Sequence, residues 1–153
     1  MKGIYMYKMI TSTIVVPRWE KGFLLIKRAH DDFNGDKWEF PGGKVDDLND
    51  IQGEAIRELR EEVLGRYDVK NFHQFSEFTV KAVGPKYIGY NLRFIIYVCD
   101  LDLPLVVTEE EERLRFGPDH QAMALLSLSC LENFVLTCET QMVIDKITKS
   151  PPI

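Results

Sequence analysis

Four glutamates, Glu54, Glu58, Glu61 and Glu62, crowd into one stretch of the chain between Gly42 and Gly65, which reads GGKVDDLNDIQGEAIRELREEVLG. At roughly 100° of rotation per residue, a helix through this stretch gathers them within an arc of about 100°. The same helix carries an apolar stripe of Ile51, Ala55, Ile56, Leu59 and Val63, and Glu62 falls between Ile51 and Ala55 at its edge. Arg57, Arg60 and Leu64 take the far side. A solvated face laced by i,i+4 ion pairs is the bland reading of such a helix, but that face should lie opposite the apolar stripe. Here basic residues lie there and the acids border the core. Like charges at Glu54/Glu58 and Glu58/Glu62 cost roughly a few tenths of a kcal/mol per pair. Half-burying carboxylates costs far more unless something positive neutralises them. Oxygen ligands without His or Cys suit Mg²⁺ or Mn²⁺, so the arc reads as a divalent-metal site.

The elements around it follow from pattern and punctuation. Tyr5 to Val16 reads as a strand ending at Pro17, and Phe23 to Lys27 returns as a second. Asn34-Gly35 signals a turn, and Trp38-Glu39-Phe40 is a short strand leading to Pro41-Gly42-Gly43. Gly42 and Gly43 allow a tight turn and a close backbone approach. Gly65 is a natural stop for the helix. A strand is expected within Tyr67 to Val80, and Gly84-Pro85 marks a turn. Tyr90 to Asp100 is another strand, whose run Phe94 to Val98 suits a sheet covered on both faces. Asp102 to His120 is a polar, acid-rich connection with a break at Gly117-Pro118, and Met123 to Leu128 is a further strand. Ser129 reads as a helix start with Glu132 at capping-box spacing. Helical pattern runs from about Thr137 to Lys149, with Met142, Ile144 and Ile147 packing inward, and Pro151-Pro152 follows. Strands interleaved with two helical regions predict an α/β fold with a mixed sheet between helices.

The 153 residues are expected to form a single domain, 1–153, long enough to bury a core. Hydrophobic content of 45% and charged content of 28% are those of an ordinary globular protein. The net charge of −5 disfavours nucleic acid as a partner, and a polyanionic substrate must be met by local cations. Cys99, Cys130 and Cys138 lack metal-ligand spacing and lie in apolar neighbourhoods, so each is expected to be a small core residue in a reducing compartment. The N-terminus has no signal-peptide pattern and no run reaches membrane-spanning length. A cytoplasmic protein is expected.

Gly43 to Gly65 resembles the Nudix box, G-x5-E-x7-R-E-U-x-E-E-x-G-U with U aliphatic: Gly43, Arg57, Glu58, Leu59, Glu61 and Glu62 fall in register. Trp38-Glu39-Phe40-Pro41 resembles the lead-in of the MutT-like nucleoside triphosphate pyrophosphohydrolases. The chain departs from the pattern twice. Asn49 stands at the first glutamate, with Asp50 beside it, and Leu64 is an extra residue before the terminal glycine. The resemblance is specific over about Arg28 to Gly65 and implies an α/β/α sandwich. It also implies metal ligation by Glu58, Glu61, Glu62 and the Gly43 carbonyl, with Glu58 as a ligand or the base-positioning carboxylate. Arg57, four residues before Glu61, would fix that carboxylate's rotamer, or make only an exposed ion pair. Arg28 and Lys44 fall where MutT-like relatives place phosphate-contacting cations, and Phe40 is a candidate substrate contact. Asp119 is the first choice for a further acidic ligand, then Glu112, with His120 a candidate base. Phe33, Trp38, Phe78, Tyr87, Tyr90 and Arg93 are candidate stackers for a base, or core and sheet-surface residues.

Divalent ions on such a helix neutralise charge developing on phosphates and lower the pKa of a bound water. The expected reaction is metal-dependent cleavage of a nucleoside diphosphate linked to another group. A nucleoside triphosphate, including an oxidised or otherwise noncanonical one, is favoured, giving the monophosphate and pyrophosphate. A nucleoside diphosphate sugar is the alternative within the same chemistry, although the proline typical of ADP-ribose-type members is not in place and Pro85 lies too far on. A nucleotide-binding module without catalysis is the third reading, with Asn49 and Leu64 pointing to it. The partner is thus a small nucleotide; neither nucleic acid nor membrane is expected, and a homodimer is a candidate assembly.

Overall fold

The strands Lys8–Trp19 and Tyr90–Asp102 are rich in β-branched and aromatic residues, and the strand period of two sorts the buried side chains of the sheet into two layers. The computed structural model describes residues 8–28, 35–62, 68–82, 88–102 and 120–149, with the backbone alone for Glu62 and 120–124. In chain order the elements are β1 (Lys8–Trp19), β2 (Gly22–Arg28), β3 (Trp38–Glu39), β4 (Gly42–Lys44), α1 (Ile51–Glu62), β5 (Asp68–Lys81), β6 (Tyr90–Asp102) and β7 (His120–Ser127). A 3-10 turn (Leu128–Asn133) and α2 (Cys138–Lys149) follow. The strands form a seven-stranded sheet in the order β3-β2-β1-β6-β5, with β4 also paired to β1 and β7 to β2. β1 and β6 run parallel at its centre; the other pairings are antiparallel. The sheet is therefore mixed, as expected.

Alternation sorts the core. Val15, Leu24, Ile26, Ile95, Tyr97 and Cys99 face Ala55 and Leu59 of α1. Ile14, Val16, Phe23, Leu25, Ile96 and Val98 face Val143 and Ile144 of α2. Every residue from Ile95 to Cys99 is buried, which is what covering a sheet on both faces demands. Among the described residues no helix is long and apolar enough to cross a membrane.

Some local expectations change. Pro17 does not end β1, which continues to Trp19. The Thr11 carbonyl accepts from Val45 and the Val15 N–H donates to Pro41, so odd-numbered β1 residues point their backbone groups toward β4. Pro17 shares that direction, in the gap before β2 pairing begins at Arg18, and its missing N–H removes no rung. The segment after β7 is a 3-10 turn with Ser127 at its N-cap and no side-chain capping bond. Instead of the expected capping box from Ser129, the Ser129 and Ser127 hydroxyls lie 3.0 Å apart and Ser127 donates to Cys130 Sγ. Met142 is exposed, because Thr140, Val143, Ile144 and Ile147 take the inward face of α2. Of the cysteines only Cys99 is buried; Cys130 is half-buried and Cys138 exposed, since Cys138 begins α2 on its outer side. Tyr5, Asn34, Gly65, Tyr67, Gly84-Pro85, Gly117-Pro118 and Pro151-Pro152 lie outside the described residues.

Leu59 is 1% exposed and presses α1 onto the sheet. Leu59→Ala is expected to destabilise the protein by about 2–5 kcal/mol, measured as a lowered urea midpoint. A loss below about 0.5 kcal/mol, the scale of an ordinary surface change, would mean that α1 is not packed there.

Candidate active site at the junction of β4 and α1

β4 is drawn onto β1 in the register Ser12–Lys44, Thr13–Gly43 and Ile14–Gly42. The Val15 N–H donates to the Pro41 carbonyl at 2.8 Å and the Val45 N–H to the Thr11 carbonyl at 2.9 Å, bracketing the strand. Gly42 has φ +155°, and a Cβ there would overlap the Thr13 carbonyl. A Cβ on Gly43 would sit 3.1 Å from Cδ of Glu58 and 3.3 Å from both its oxygens. The Glu58 carboxylate therefore lies directly over the Gly43 backbone. Thr13 Oγ1 also donates to the Gly43 carbonyl at 3.4 Å, beside the ladder pairing of Thr13 with Gly43. From the other face, the N-terminus of α2 holds the incoming strand: the Phe40 N–H donates to Thr140 Oγ1 at 3.1 Å, and Thr137 Oγ1 donates to the same oxygen at 2.9 Å.

Between β4 and α1 the chain turns on its own acids. Asp47 Oδ1 accepts the Asn49 N–H, and its carbonyl accepts the Asp50 N–H. Asp50 caps α1 by accepting the Gly53 N–H at 3.2 Å and, through its carbonyl, the Glu54 N–H at 3.0 Å. A Cβ on Gly53 would overlap the Asp50 carboxylate. Glu54 reaches back across this turn: its Oε2 accepts the backbone N–H of Asp46 at 2.9 Å and of Asp47 at 3.2 Å. Sequence reasoning counted Glu54 among the acids but gave it no such role, because a contact across a loop has no periodicity to betray it.

On α1, Arg57 stands among three carboxylates. Nη1 donates to Glu61 Oε1 at 3.2 Å, and Nη2 lies 3.5 Å from Glu54 Oε1 and 3.7 Å from Glu58 Oε1. Side-chain exposure falls from 59% at Glu61 to 23% at Glu58 and 13% at Glu54, so two of the acids do border the core. Burial pushes the Glu58 carboxyl above its ordinary value; Arg57 opposes this, while Glu61, Glu54 and Asp46 add to it. The Arg57 guanidinium is held above its own ordinary value, chiefly by its hydrogen bond to Glu61.

The remaining candidates are placed unequally. Arg28 Nη1 donates to both oxygens of Glu39, at 3.0 and 2.8 Å. Lys44 is exposed at the end of β4. Phe40 is 4% exposed and packs edge-on against Phe23, so it belongs to the core and offers no open stacking face. Trp38 is likewise buried, Phe78 packs against the core beneath Lys146, and Arg93 is paired with Glu77. Tyr90 lies beneath the Lys8 ammonium. Glu62 closes α1 by its backbone, and the backbone of His120 pairs opposite Arg28. The side chains of both lie outside the described residues, as do Phe33, Leu64, Tyr87, Glu112 and Asp119. Among the described residues no group of three or more His, Cys, Asp or Glu is placed to hold a metal ion.

Comparison with known proteins adds the family. A search of curated proteins returns no match. In fold, the chain is similar to a MutT NUDIX hydrolase from Burkholderia pseudomallei, with a TM-score of 0.66 and 18% identity over 92% of this chain and 98% of that one. It is similar too to a NUDIX hydrolase from Nitrosomonas europaea, with a TM-score of 0.69 and 12% identity over 95% and 94% of the two chains. The NUDIX domain of Shewanella oneidensis NrtR, solved in complex with ADP ribose, gives a TM-score of 0.65 at 12% identity, covering 95% of this chain and 89% of that one. The family model for the NUDIX domain matches residues 8–131. Most of the chain lies within that match, from β1 to the turn after β7; the chain belongs to the NUDIX family, whose reaction class is hydrolysis at a phosphoanhydride bond.

Proposed function

We propose that this protein is a Mg²⁺- or Mn²⁺-dependent pyrophosphohydrolase that cleaves a nucleoside triphosphate, including oxidised or noncanonical ones, to the monophosphate and pyrophosphate. The observation that carries the proposal is the Glu58 carboxylate set over the backbone of Gly43, beside Glu61. The donor set fits a hard divalent cation, being all oxygen and net negative even with Arg57 in its midst. Glu58, Glu61, Glu62 and the Gly43 carbonyl would hold the ion, with Asp119 the candidate further ligand. Once bound, the ion supplies charge neutralisation on the phosphates and a more acidic water.

The chain's own residues prepare that chemistry. Arg57 restrains Glu61 through their hydrogen bond, so the carboxylate is oriented before any ligand arrives. Glu58, with its raised pKa, is suited to accept a proton from attacking water wherever it is not itself a ligand. Lys44, exposed just past Gly43, is assigned to phosphate contact. Arg28 can share that task while its guanidinium stays fixed by Glu39. Phe40 lies in the core against Phe23, its N–H held by Thr140 just before Gly42 and Gly43. The triphosphate is favoured over other nucleoside diphosphate derivatives by the Trp38-to-Lys44 lead-in. Sugar-linked nucleotides form the second reading, because a NUDIX domain of similar fold is known in complex with ADP ribose.

Burial of Glu58 gives a stability test. Its folded pKa lies above the unfolded value of 4.5, so the folded state holds the proton more tightly. The associated stability is complete below 4.5 and is lost as pH rises through the folded value, leaving a cost at neutral pH. In chelator at neutral pH, Glu58→Gln is therefore expected to melt at or above the wild-type temperature. With Mg²⁺ added, only the wild type should gain substantially. A metal-free variant melting clearly below wild type would contradict the burial argument.

The activity itself is tested with Mg²⁺ by pyrophosphate release from a panel of nucleoside triphosphates, and by nucleoside monophosphate release from ADP-ribose and sugar nucleotides. Release from triphosphates is expected, falling about 10–100-fold or more in Glu61→Gln and abolished by chelator. Turnover of sugar nucleotides alone would move the assignment to the second reading. Metal-independent nucleotide binding without turnover would make the protein a binding module.

A further inference from the structure

The family pattern asks for a carboxylate at the position of Asn49, and this chain has an exposed amide there. Glu54 has the charge and the connections that Asn49 lacks. It is the most buried of the acids measured on α1, 13% exposed, and its two oxygens work in different directions. Oε2 holds the N–H groups of Asp46 and Asp47, just past the strand that presents Gly43. Oε1 faces Nη2 of Arg57 at 3.5 Å, and Nη1 of Arg57 holds Glu61. A continuous path thus runs from the loop through Glu54 and Arg57 to Glu61, with Glu58 beside it and Gly43 beneath. Asn49 sits in the turn with its N–H taken by Asp47 Oδ1, and an amide side chain offers Arg57 no countercharge.

We propose that Glu54 is a positioning residue of the ion site, supplying from the first turns of α1 the carboxylate that position 49 does not. It fixes the loop after Gly43 and the Arg57 guanidinium in one relation, and so sets the orientation in which Glu58 and Glu61 meet an ion. The inference rests on the reading of Glu58, Glu61 and Gly43 as ion ligands. A purely structural loop tether would act differently: its loss would lower stability in chelator and leave ion affinity unchanged.

The test uses the full chain and variants Glu54→Ala, Glu54→Gln and the pair Glu54→Ala/Asn49→Glu. Midpoints for Mg²⁺ and Mn²⁺ are read by thermal-shift titration without nucleotide, and again from turnover where turnover is found. Glu54→Gln keeps the size and an acceptor for the loop amides, so it isolates the charge on Arg57 even if the alanine variant folds poorly. Both single variants are expected to raise the ion midpoints by roughly 10-fold or more, with Asn49→Glu recovering much of the loss. Unchanged midpoints in Glu54→Gln, or no recovery by Asn49→Glu, would overturn the proposal. Wild-type protein that responds to ions but releases no pyrophosphate would end the triphosphate reading and leave this test standing. No ion response in the wild type would overturn both.

Discussion

A carboxylate taken half out of water and laid on a glycine backbone is the constraint around which this molecule is built. Glu58 reaches that place only because two separate packings agree. Ala55 and Leu59 seat α1 on one face of the sheet, and Gly42 lets β4 approach β1 so closely that a side chain would collide with the Thr13 carbonyl. Changing either would move acid and glycine apart. Such an arrangement is costly in the absence of a counter-ion, because desolvation disfavours the charged form. Among the described residues Arg57 offsets it, and Arg57 is shared with Glu54 and Glu61.

The rest of the fold makes that place rigid. Parallel pairing of β1 and β6 at the centre leaves both faces of the sheet to be covered, α1 on one and α2 on the other. α2 packs against the core layer opposite that of α1, yet its buried Thr137–Thr140 pair holds the Phe40 N–H and thereby the strand feeding Pro41, Gly42 and Gly43. Stability and site geometry are in this sense one problem: the same hydrogen bonds that satisfy buried backbone groups also aim the glycines.

Much of this was legible in the sequence because it is periodic or punctuated. The apolar positions of α1 repeat with the helical period, and Ala55 and Leu59 are buried as that period requires. The unbroken run through β6 announced a sheet covered twice. Legibility failed where the deciding partner is remote in sequence. Pro17 stays within β1 because of where β4 and β2 happen to pair, and no local rule contains that. Phe40 looks like a candidate for contact with substrate until Phe23 is seen against it. Arg28 is a candidate phosphate contact in the sequence, and nothing there reveals that Glu39 on the neighbouring strand pairs with its guanidinium. The role of Glu54 was hidden for the same reason, since its partners lie across a turn that carries no pattern. Met142 and Ile144 were separated only by knowing which face of α2 the sheet meets.

Glu58 and Glu61, with Gly43 beneath them, are proposed to bind a divalent cation. Anomalous diffraction from crystals soaked in Mn²⁺ tests this most directly. An anomalous peak is expected in contact with both carboxylates and the Gly43 carbonyl. Strong manganese peaks elsewhere, with these two side chains left in solvent, would contradict it.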